Sequence, residues 1–305
     1  MNPQINTKRI LIFLLFVIVI PWIVVLAVKQ SGMMEANPAG GIMLANYIII
    51  TLPALANIFT RVITKEGWKN LWLRPNLKHG WRFYLAAWLL PLLATGVGGG
   101  LFYMIFPQAF DPSLSQVQAT FASIPSLAAQ PWLAFLILFV QTMFVVMLIN
   151  GVASTGEEFG WRAYLLQKLM ALISGSNNGT DGVKIELTTG ARRAALLVGL
   201  VWGVWHFPLF YLGSSLNFPF VLIYVVYTCS ASVLLSWVTL RSGSVWPASI
   251  GHGMLNATSA FPLLMSKASA NPLLGPGPTS LIGMLGYVIL ALVLLFSTKS
   301  FNGSE

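Results

Sequence analysis

The chain has 305 residues, of which 56% are apolar and only 8% are charged, whereas a typical soluble domain carries about 25% charged residues. This deficit excludes a disordered protein, a nucleic-acid-binding module and an ordinary cytosolic enzyme. The single cysteine, Cys229, excludes an internal disulfide and any cysteine-based metal cluster. The net charge of +9 has a meaning only once the positions of the positive residues are known.

Apolar runs recur along the chain with the length of a transmembrane helix, which is about 20 residues for roughly 30 Å of hydrocarbon. In chain order they are Ile10–Val28, Gly41–Thr60, Phe83–Phe106, Trp132–Ser154, Ala194–Gly213, Phe220–Leu240, Val245–Met265 and Leu281–Thr298. The first run is followed by no small-residue cleavage site, so we do not expect it to be a cleaved signal peptide. The sequence predicts an all-α, polytopic membrane helix bundle of about eight transmembrane helices, forming a single integral membrane domain over residues 1–305.

The positive residues predict the orientation of this bundle. If the N-terminus is cytoplasmic, 15 of the 17 Lys and Arg residues lie in cytoplasmic segments and only Lys29 and Lys267 lie outside. The cytoplasmic set is Lys8, Arg9, Arg61, Lys65, Lys69, Arg74, Lys78, Arg82, Arg162, Lys168, Lys184, Arg192, Arg193, Arg241 and Lys299. We therefore expect both termini in the cytoplasm, and we expect no nucleic-acid partner. The excess of positive charge also favours contact with anionic lipid.

Two adjacent carboxylates, Glu157 and Glu158, lie near the inner end of the fourth predicted span. Ionisable side chains at membrane depth cost about 2.5–3.5 kcal/mol each on insertion scales, so they are candidates for function. Glu158 and Arg162 are four residues apart and can pair along a helix, while Glu157 faces another direction. Two interpretations stay open: an ion pair that anchors a helix end, or a division of labour in which Glu157 is free for proton transfer.

Two of the three histidines lie inside predicted spans. His206 is surrounded by apolar sequence and can act as acid, base or metal ligand, or simply bond to a neighbouring helix. His252 and Asn256 are four residues apart on one helix face. They suit either a base or ligand beside an oxyanion donor, or polar contacts between helices. Together with the paired carboxylates, they favour one site shared by three helices.

Three short motifs follow one another on separate predicted helices: Glu-Glu-x-x-x-Arg, aromatic-x-x-x-His and His-x-x-x-Asn. In this chain they are Glu157, Glu158 and Arg162, then Trp202 and His206, then His252 and Asn256. This ordered series resembles the CPBP family of CAAX-prenyl-protease and bacteriocin-processing membrane proteins, also called the Abi family, which includes the Ras-converting endopeptidases. The resemblance covers about a third of the chain, with a catalytic core at about 150–260. Trp202 replaces the family's usual Phe, and Ala163 replaces a frequent Gly.

The resemblance implies an intramembrane endopeptidase with four catalytic residues. Glu157 would be the general base that activates water, and His206 and His252 would hold or polarise that water. Asn256 would donate a hydrogen bond to the oxyanion. The implied reaction is hydrolysis of a peptide bond near the C-terminus of a membrane-anchored or prenylated CAAX-type substrate, or of a peptide precursor.

Four further residues have expected supporting roles: Glu158 and Arg162 as an ion pair behind the base, and Trp202 and Trp205 in the substrate pocket. The expected partners are a membrane-anchored or lipid-modified protein or peptide and the lipid bilayer. The expected localisation is the bacterial plasma membrane, with the site open towards the cytoplasm. Residue counting places Glu157 at the inner surface and His206 deeper, so the helices would have to tilt or break for the two to meet.

Metal dependence is left open by the residues. Glu157, His206 and His252 would match a catalytic zinc site with one open position, and the family is often labelled metalloprotease. The His-Glu-x-x-His motif of zincins is absent from the sequence. A metal-free reaction, in which Glu157 acts on a water held by histidines, explains the same residues.

Two other functions remain as alternatives. Buried Glu and His residues also form the proton relays of secondary transporters, although the inverted repeats expected of such a protein are not evident in the sequence. A non-catalytic membrane immunity or scaffold protein could keep the same residues as contacts between helices.

Overall fold

The computed structural model describes residues 3–174, 189–213, 216–267, 271–297 and 301. Within these ranges the chain forms helices and turns without any strand, and one isolated β-bridge joins Phe110 to Ser266. The main helices are α1 (Pro3–Gln30), α2 (Pro38–Ile63), α3 (Leu77–Ile105), α4 (Pro131–Ile173), α5 (Thr189–Trp205), α6 (Phe218–Ser242), α7 (Trp246–Thr258) and α8 (Leu285–Phe296). Short helices lie between them at Met33–Ala36, Pro107–Ala109, Ser115–Thr120, Pro125–Ala128, Phe207–Leu212 and Phe261–Leu264.

Six helices in the described ranges, α1 to α6, are long and apolar enough to cross a membrane, if α5 is taken through to Leu212. Many of their large apolar side chains are exposed on the surface of the bundle, as helices that face lipid require. The predicted all-α membrane helix bundle is therefore confirmed.

The seventh and eighth predicted spans are shorter helices than expected. Helix α7 has 13 residues and α8 has 12, each below the length of a straight crossing. The count of eight crossings and the cytoplasmic position of both termini stay predictions. Thr298, Lys184 and Lys299 lie outside the described residues.

Helix α4 differs most from its predicted bounds. The predicted span ended at Ser154, but the helix runs unbroken through Glu157 and Glu158 to Ile173, over 43 residues. The expectation that Glu157 lies at a helix end is wrong. The polar motif lowers the hydropathy without ending the helix, because Glu158 and Arg162 neutralise each other one turn apart.

Two segments of α4, Thr142–Val146 and Trp161–Leu166, are π-helical. The second begins directly after Gly160 and contains Arg162. Such wide turns re-aim the side chains that follow and are frequent at functional sites.

Glycines allow the helices around α4 to approach closely. A Cβ on Gly253 of α7 would lie 2.5 Å from the carbonyl oxygen of Met147 on α4, and one on Gly160 would lie 2.4 Å from the Cβ of Pro53 on α2. The backbones therefore pack directly against each other, as small residues permit in membrane bundles. This packing sets the register of α7 on α4 and brings His252 level with Glu158.

Candidate active site

Helices α4, α5 and α7 contribute polar side chains to one cluster inside the bundle. These are Glu157, Glu158 and Arg162 from α4, Trp202 and His206 from α5 and the turn after it, and His252 from α7. All are buried except His206, which is half-buried. Six of the eight predicted site residues therefore belong to this cluster and a seventh, Trp205, packs against His206, although they are separated by up to 95 positions in the sequence.

The Glu158 carboxylate links two of these helices. Its Oε1 atom accepts a hydrogen bond of 2.8 Å from Arg162 Nη1 and another of 2.8 Å from His252 Nδ1. The Glu158 and Arg162 side chains are fully buried, at 0% exposure each. The predicted pairing of Glu158 with Arg162 is confirmed, whereas the bond to His252 was not predicted.

The contact with Glu158 also fixes the tautomer of His252. Because a carboxylate oxygen accepts from Nδ1, this nitrogen carries the proton, and a neutral ring then presents an unprotonated Nε2. A carboxylate behind an imidazole orients the ring and fixes which nitrogen carries the proton. His252 is thus prepared to accept a hydrogen bond or to bind a ligand through Nε2.

Glu157 has different partners from its neighbour. Its Oε2 atom accepts a hydrogen bond of 2.9 Å from the indole Nε1 of Trp202, and no Arg or Lys in the described part of the chain forms an ion pair with it. The carboxylate also interacts electrostatically with His252. The two adjacent glutamates therefore differ in their partners, since Glu158 is bonded to Arg162 and His252 and Glu157 to the indole of Trp202.

His206 lies where α5 breaks. Helix α5 ends at Trp205, and the chain resumes at Phe207 as a short helix that contains Pro208, a residue without a backbone N–H. His206 Nδ1 lies 2.8 Å from the carbonyl oxygen of Trp202, which can only accept, so Nε2 of a neutral ring is unprotonated here as well.

Tryptophans surround the two histidines. The Trp202 ring lies 5.0 Å from the ring of His252 and 4.9 Å from the guanidinium of Arg162, and Trp205 lies 4.7 Å from His206 (centroid distances). Both indoles are buried, and they form walls of the cluster. Their role in holding a substrate stays a prediction.

Asn256 does not join the cluster. Its side chain is exposed, one turn beyond His252, and its carboxamide forms no hydrogen bond with any residue that the structure describes. Its backbone carbonyl accepts from the hydroxyl of Ser259 at 2.9 Å. Its role as an oxyanion donor stays a prediction.

Tyr224 of α6 forms a wall of the site that the sequence reasoning missed. Its ring lies 5.1 Å from that of His206 and 4.6 Å from that of Phe210, in edge-to-face contacts. The signal available in the sequence was the spacing of Phe220, Tyr224 and Tyr227, which places three aromatic rings on one face of a helix.

Several buried polar atoms of the cluster have no hydrogen-bond partner among the described residues. They are Glu158 Oε2 and Arg162 Nε and Nη2 in the cluster itself, and Ser154 Oγ and Trp205 Nε1 beside it. Buried polar groups are normally paired with protein or water. The cluster therefore has the capacity to bind polar groups that do not belong to its own side chains.

The three residues expected as zinc ligands do not form a metal site in this arrangement. No group of three His, Cys, Asp or Glu side chains in the described ranges is placed to hold one metal ion. Glu157, His206 and His252 therefore do not fit the predicted three-ligand set as they stand, and no step below depends on a metal.

Comparisons with known proteins point to the same part of the chain. Residues 131–258 match the family described as type II CAAX prenyl endopeptidase Rce1-like, a range that contains α4 to α7 and the whole cluster. The chain is also 25% identical over 126 residues to CAAX prenyl protease 2 of Methanococcus maripaludis. That alignment covers 39% of this chain and 39% of the relative, so the similarity spans well under half of either protein. The segment of residues 131–258, which carries every residue of the cluster, is thus similar to the Rce1-like family of type II CAAX prenyl endopeptidases.

Proposed function

We propose that the protein is an intramembrane endopeptidase that hydrolyses a peptide bond near the C-terminus of a membrane-anchored or prenylated CAAX-type substrate. The observation that carries the proposal is the pair of adjacent buried glutamates with separate partners. Glu158 is bonded to Arg162 and His252, while Glu157 accepts from the indole of Trp202 and forms no ion pair with an Arg or Lys among the described residues. Similarity to a protein named CAAX prenyl protease 2 supports this choice of substrate class.

In the proposed reaction Glu157 removes a proton from a water molecule, and the water oxygen attacks the carbonyl carbon of the scissile bond. The second O–H of that water can donate a hydrogen bond to the unprotonated Nε2 of His206 or His252, which orients the attacking oxygen. When the tetrahedral intermediate collapses, the C–N bond breaks and Glu157 returns its proton to the leaving amine. The products are a carboxylic acid and an amine, so no further reactant is required.

The negative charge on the carbonyl oxygen of the intermediate requires a donor. We propose Asn256 for this role, since its carboxamide has no competing partner among the described residues and lies one turn from His252. Loss of a single oxyanion donor typically lowers kcat by about 10²–10³-fold.

The apolar surroundings of the cluster support a substrate that arrives through the bilayer. Trp202 and Trp205 are proposed to contact it, and the site is proposed to open towards the cytoplasm of a bacterial plasma membrane. The reaction is proposed without a metal, and a chelator tests directly whether cleavage depends on zinc.

The decisive test is cleavage by purified protein in proteoliposomes, with products identified by mass spectrometry and with a prenylated CAAX peptide as substrate. Glu157→Gln keeps the size of the side chain and removes the base, so we expect kcat to fall by at least about 10²-fold. Glu35→Gln, which changes an exposed carboxylate remote from the cluster, is the matched control and should leave kcat unchanged.

Three outcomes would contradict parts of the proposal. Full activity of Glu157→Gln would remove the mechanism. Cleavage that disappears with chelator and returns with zinc would replace the metal-free reaction by a metal-dependent one. Proton flux that depends on a solute, without cleavage of any peptide, would favour the transporter alternative.

A further inference from the structure

The segment that joins α2 to α3, continued through the first turns of α3, is strongly basic. We call residues 64–82 the strap. Its exposed cations are Lys65, Lys69, Arg74, Lys78 and Arg82. Its one carboxylate, Glu66, is largely buried and ion-paired, so the strap presents positive charge without exposed negative charge.

Large apolar side chains alternate with these cations. Trp68, Leu73, Leu77 and Trp81 are each between 41% and 59% exposed. Indoles with lysines and arginines beside them are the composition that settles at the boundary between lipid tails and headgroups. Because α2 and α3 both have the length of membrane spans, the strap lies where such a boundary must fall.

The strap is held in a fixed shape. Its backbone is left-handed at Lys65, Gly67, Asn70 and Trp72, with φ of 49°, 80°, 57° and 53°. This conformation is unfavourable for residues other than glycine and persists only where contacts maintain it. Arg61 provides two such contacts, since its Nη1 donates to the carbonyl oxygens of Gly67 at 2.9 Å and Lys69 at 3.3 Å.

Bonds from the strap reach α4, the helix that carries Glu157. Glu66 accepts from Lys168 Nζ and from the hydroxyl of Tyr164 at 3.2 Å, and it pairs with Arg9 of α1 at 3.3 Å. Gln167 Nε2 donates to the carbonyl oxygen of Asn70 at 3.1 Å. The anchoring residues on α4 follow the glutamates of the site by two to three turns.

Other bonds fasten the strap to the start of α7, the helix that carries His252. The carbonyl oxygen of Trp72 accepts from Val245 N at 2.9 Å, and that of Leu73 accepts from the indole Nε1 of Trp246 at 2.7 Å. The strap is thus connected to both helices whose spacing sets the contact between Glu158 and His252.

We propose that the strap binds the headgroups of anionic phospholipids, and that bound lipid holds α4 and α7 at the spacing that the site requires. The effect of bound lipid on the site rests on the proposed function, whereas the binding of lipid to the strap does not. Each cation near an anionic membrane surface contributes its own attraction, and this attraction decays within a Debye length in salt solution. The exposed rings add apolar contact with the acyl chains. Phospholipid is chosen over a soluble anion because the cations are interleaved with exposed apolar side chains.

The binding arm uses native mass spectrometry of the detergent-solubilised full chain, titrated with phosphatidylglycerol or with phosphatidylcholine. Lys69→Gln with Arg74→Gln removes two strap cations at positions without left-handed backbone. Lys29→Gln with Lys267→Gln removes the same charge away from the strap and is the matched control. We expect the strap variant to bind phosphatidylglycerol about ten-fold more weakly and the control to bind as the parent does.

Three results of the binding arm would overturn the lipid site. They are equal weakening in both variants, equal affinity of the parent for phosphatidylcholine, and displacement of phosphatidylglycerol by millimolar inorganic phosphate. The last result would assign the strap to free anions instead.

The coupling arm compares peptide cleavage in vesicles of phosphatidylcholine with and without phosphatidylglycerol. We expect phosphatidylglycerol to raise kcat for the parent and the control, and to have little effect on the strap variant. Equal stimulation of all three would overturn the coupling and leave the binding result standing. Absence of cleavage by the parent in every vesicle would instead refute the proposed function, while the binding arm still decides the lipid site.

Discussion

At the scale of single residues, the chemistry of the site depends on how two adjacent glutamates are partnered. Glu158 has no exposure and is bonded through one oxygen to both Arg162 and His252. Removing one member of a buried ion pair leaves the other charge uncompensated, which typically costs about 3–5 kcal/mol. The structural glutamate and the proposed catalytic one should therefore respond differently to the same substitution.

Glu158→Gln should lower the free energy of unfolding by about 3–5 kcal/mol, because Arg162 then keeps its buried charge without an ion-pair partner. Thermal or denaturant unfolding of the purified protein in detergent measures this. Glu157→Gln is the matched control, and it should reduce activity much more than stability. The double variant Glu158→Leu with Arg162→Met should be more stable than Glu158→Gln, and a less stable double variant would contradict the argument.

The sequence predicted contacts within a helix better than contacts between helices. The Glu158–Arg162 pair follows from a spacing of four residues, and the structure contains it. The bonds from His252 to Glu158 and from Trp202 to Glu157 depend on the registers of three helices, which hydropathy does not determine. The six long helices were predictable because a membrane span needs only apolar composition. The site geometry was not, because it depends on how the helices are aligned with one another.

At the scale of helices, the register of α7 on α4 depends on glycine. Gly253→Ala should place a methyl group 2.5 Å from the Met147 carbonyl oxygen and push α7 away from α4. We expect a loss of about 1–3 kcal/mol of unfolding free energy, together with a large loss of cleavage, because the Glu158–His252 bond lengthens.

Gly100→Ala on α3 is the matched control for this change. A Cβ at Gly100 meets no atom within 4 Å, so stability and cleavage should both be retained. If Gly253→Ala behaved as Gly100→Ala does, direct packing of the two backbones would not control the site.

Asp111 lies just before the short helix Ser115–Thr120 and outside the membrane-spanning helices, and its carboxylate forms a loop cap with two serines. The carboxylate accepts from the backbone N–H groups of Ser113 and Ser115 at 3.0 and 2.9 Å, and from both hydroxyls at 2.5 Å. These four donors stabilise the ionised form, so they hold the pKa of Asp111 well below its usual range, with the serine hydroxyls contributing most.

A lowered folded-state pKa predicts the pH dependence of this cap. Its contribution to stability should be complete above the pKa of an unfolded Asp, about 3.9, and be lost as the pH falls towards the lower folded-state value. Asp111→Asn should therefore destabilise the protein near neutral pH, and its difference from the parent should shrink below about pH 4. Thermal unfolding of both proteins across this range measures the effect, and a difference independent of pH would contradict it.

At the scale of the whole molecule, the asymmetric positive charge predicts which face is cytoplasmic. In a Cys229→Ser background, Lys69→Cys on the strap should be shielded from a membrane-impermeant thiol reagent added to intact cells. Ser126→Cys, in the segment between α3 and α4, should react. Both positions are exposed, so both cysteines should react once the cells are opened, which shows that each is intrinsically accessible to the reagent. Labelling of Lys69→Cys in intact cells would invert the predicted topology.

Helix α4 is much longer than the membrane is thick. Its 43 residues extend about 65 Å, roughly twice the hydrocarbon thickness of a bilayer. One end packs against the Ser115–Thr120 helix through Ala134, and the other end is bonded to the strap through Lys168. Helix α4 is therefore held near both of its ends. A thicker or thinner bilayer can be accommodated by a change in the tilt of α4. Because Glu157 and Glu158 lie on this helix, we expect cleavage to depend on the thickness of the surrounding bilayer.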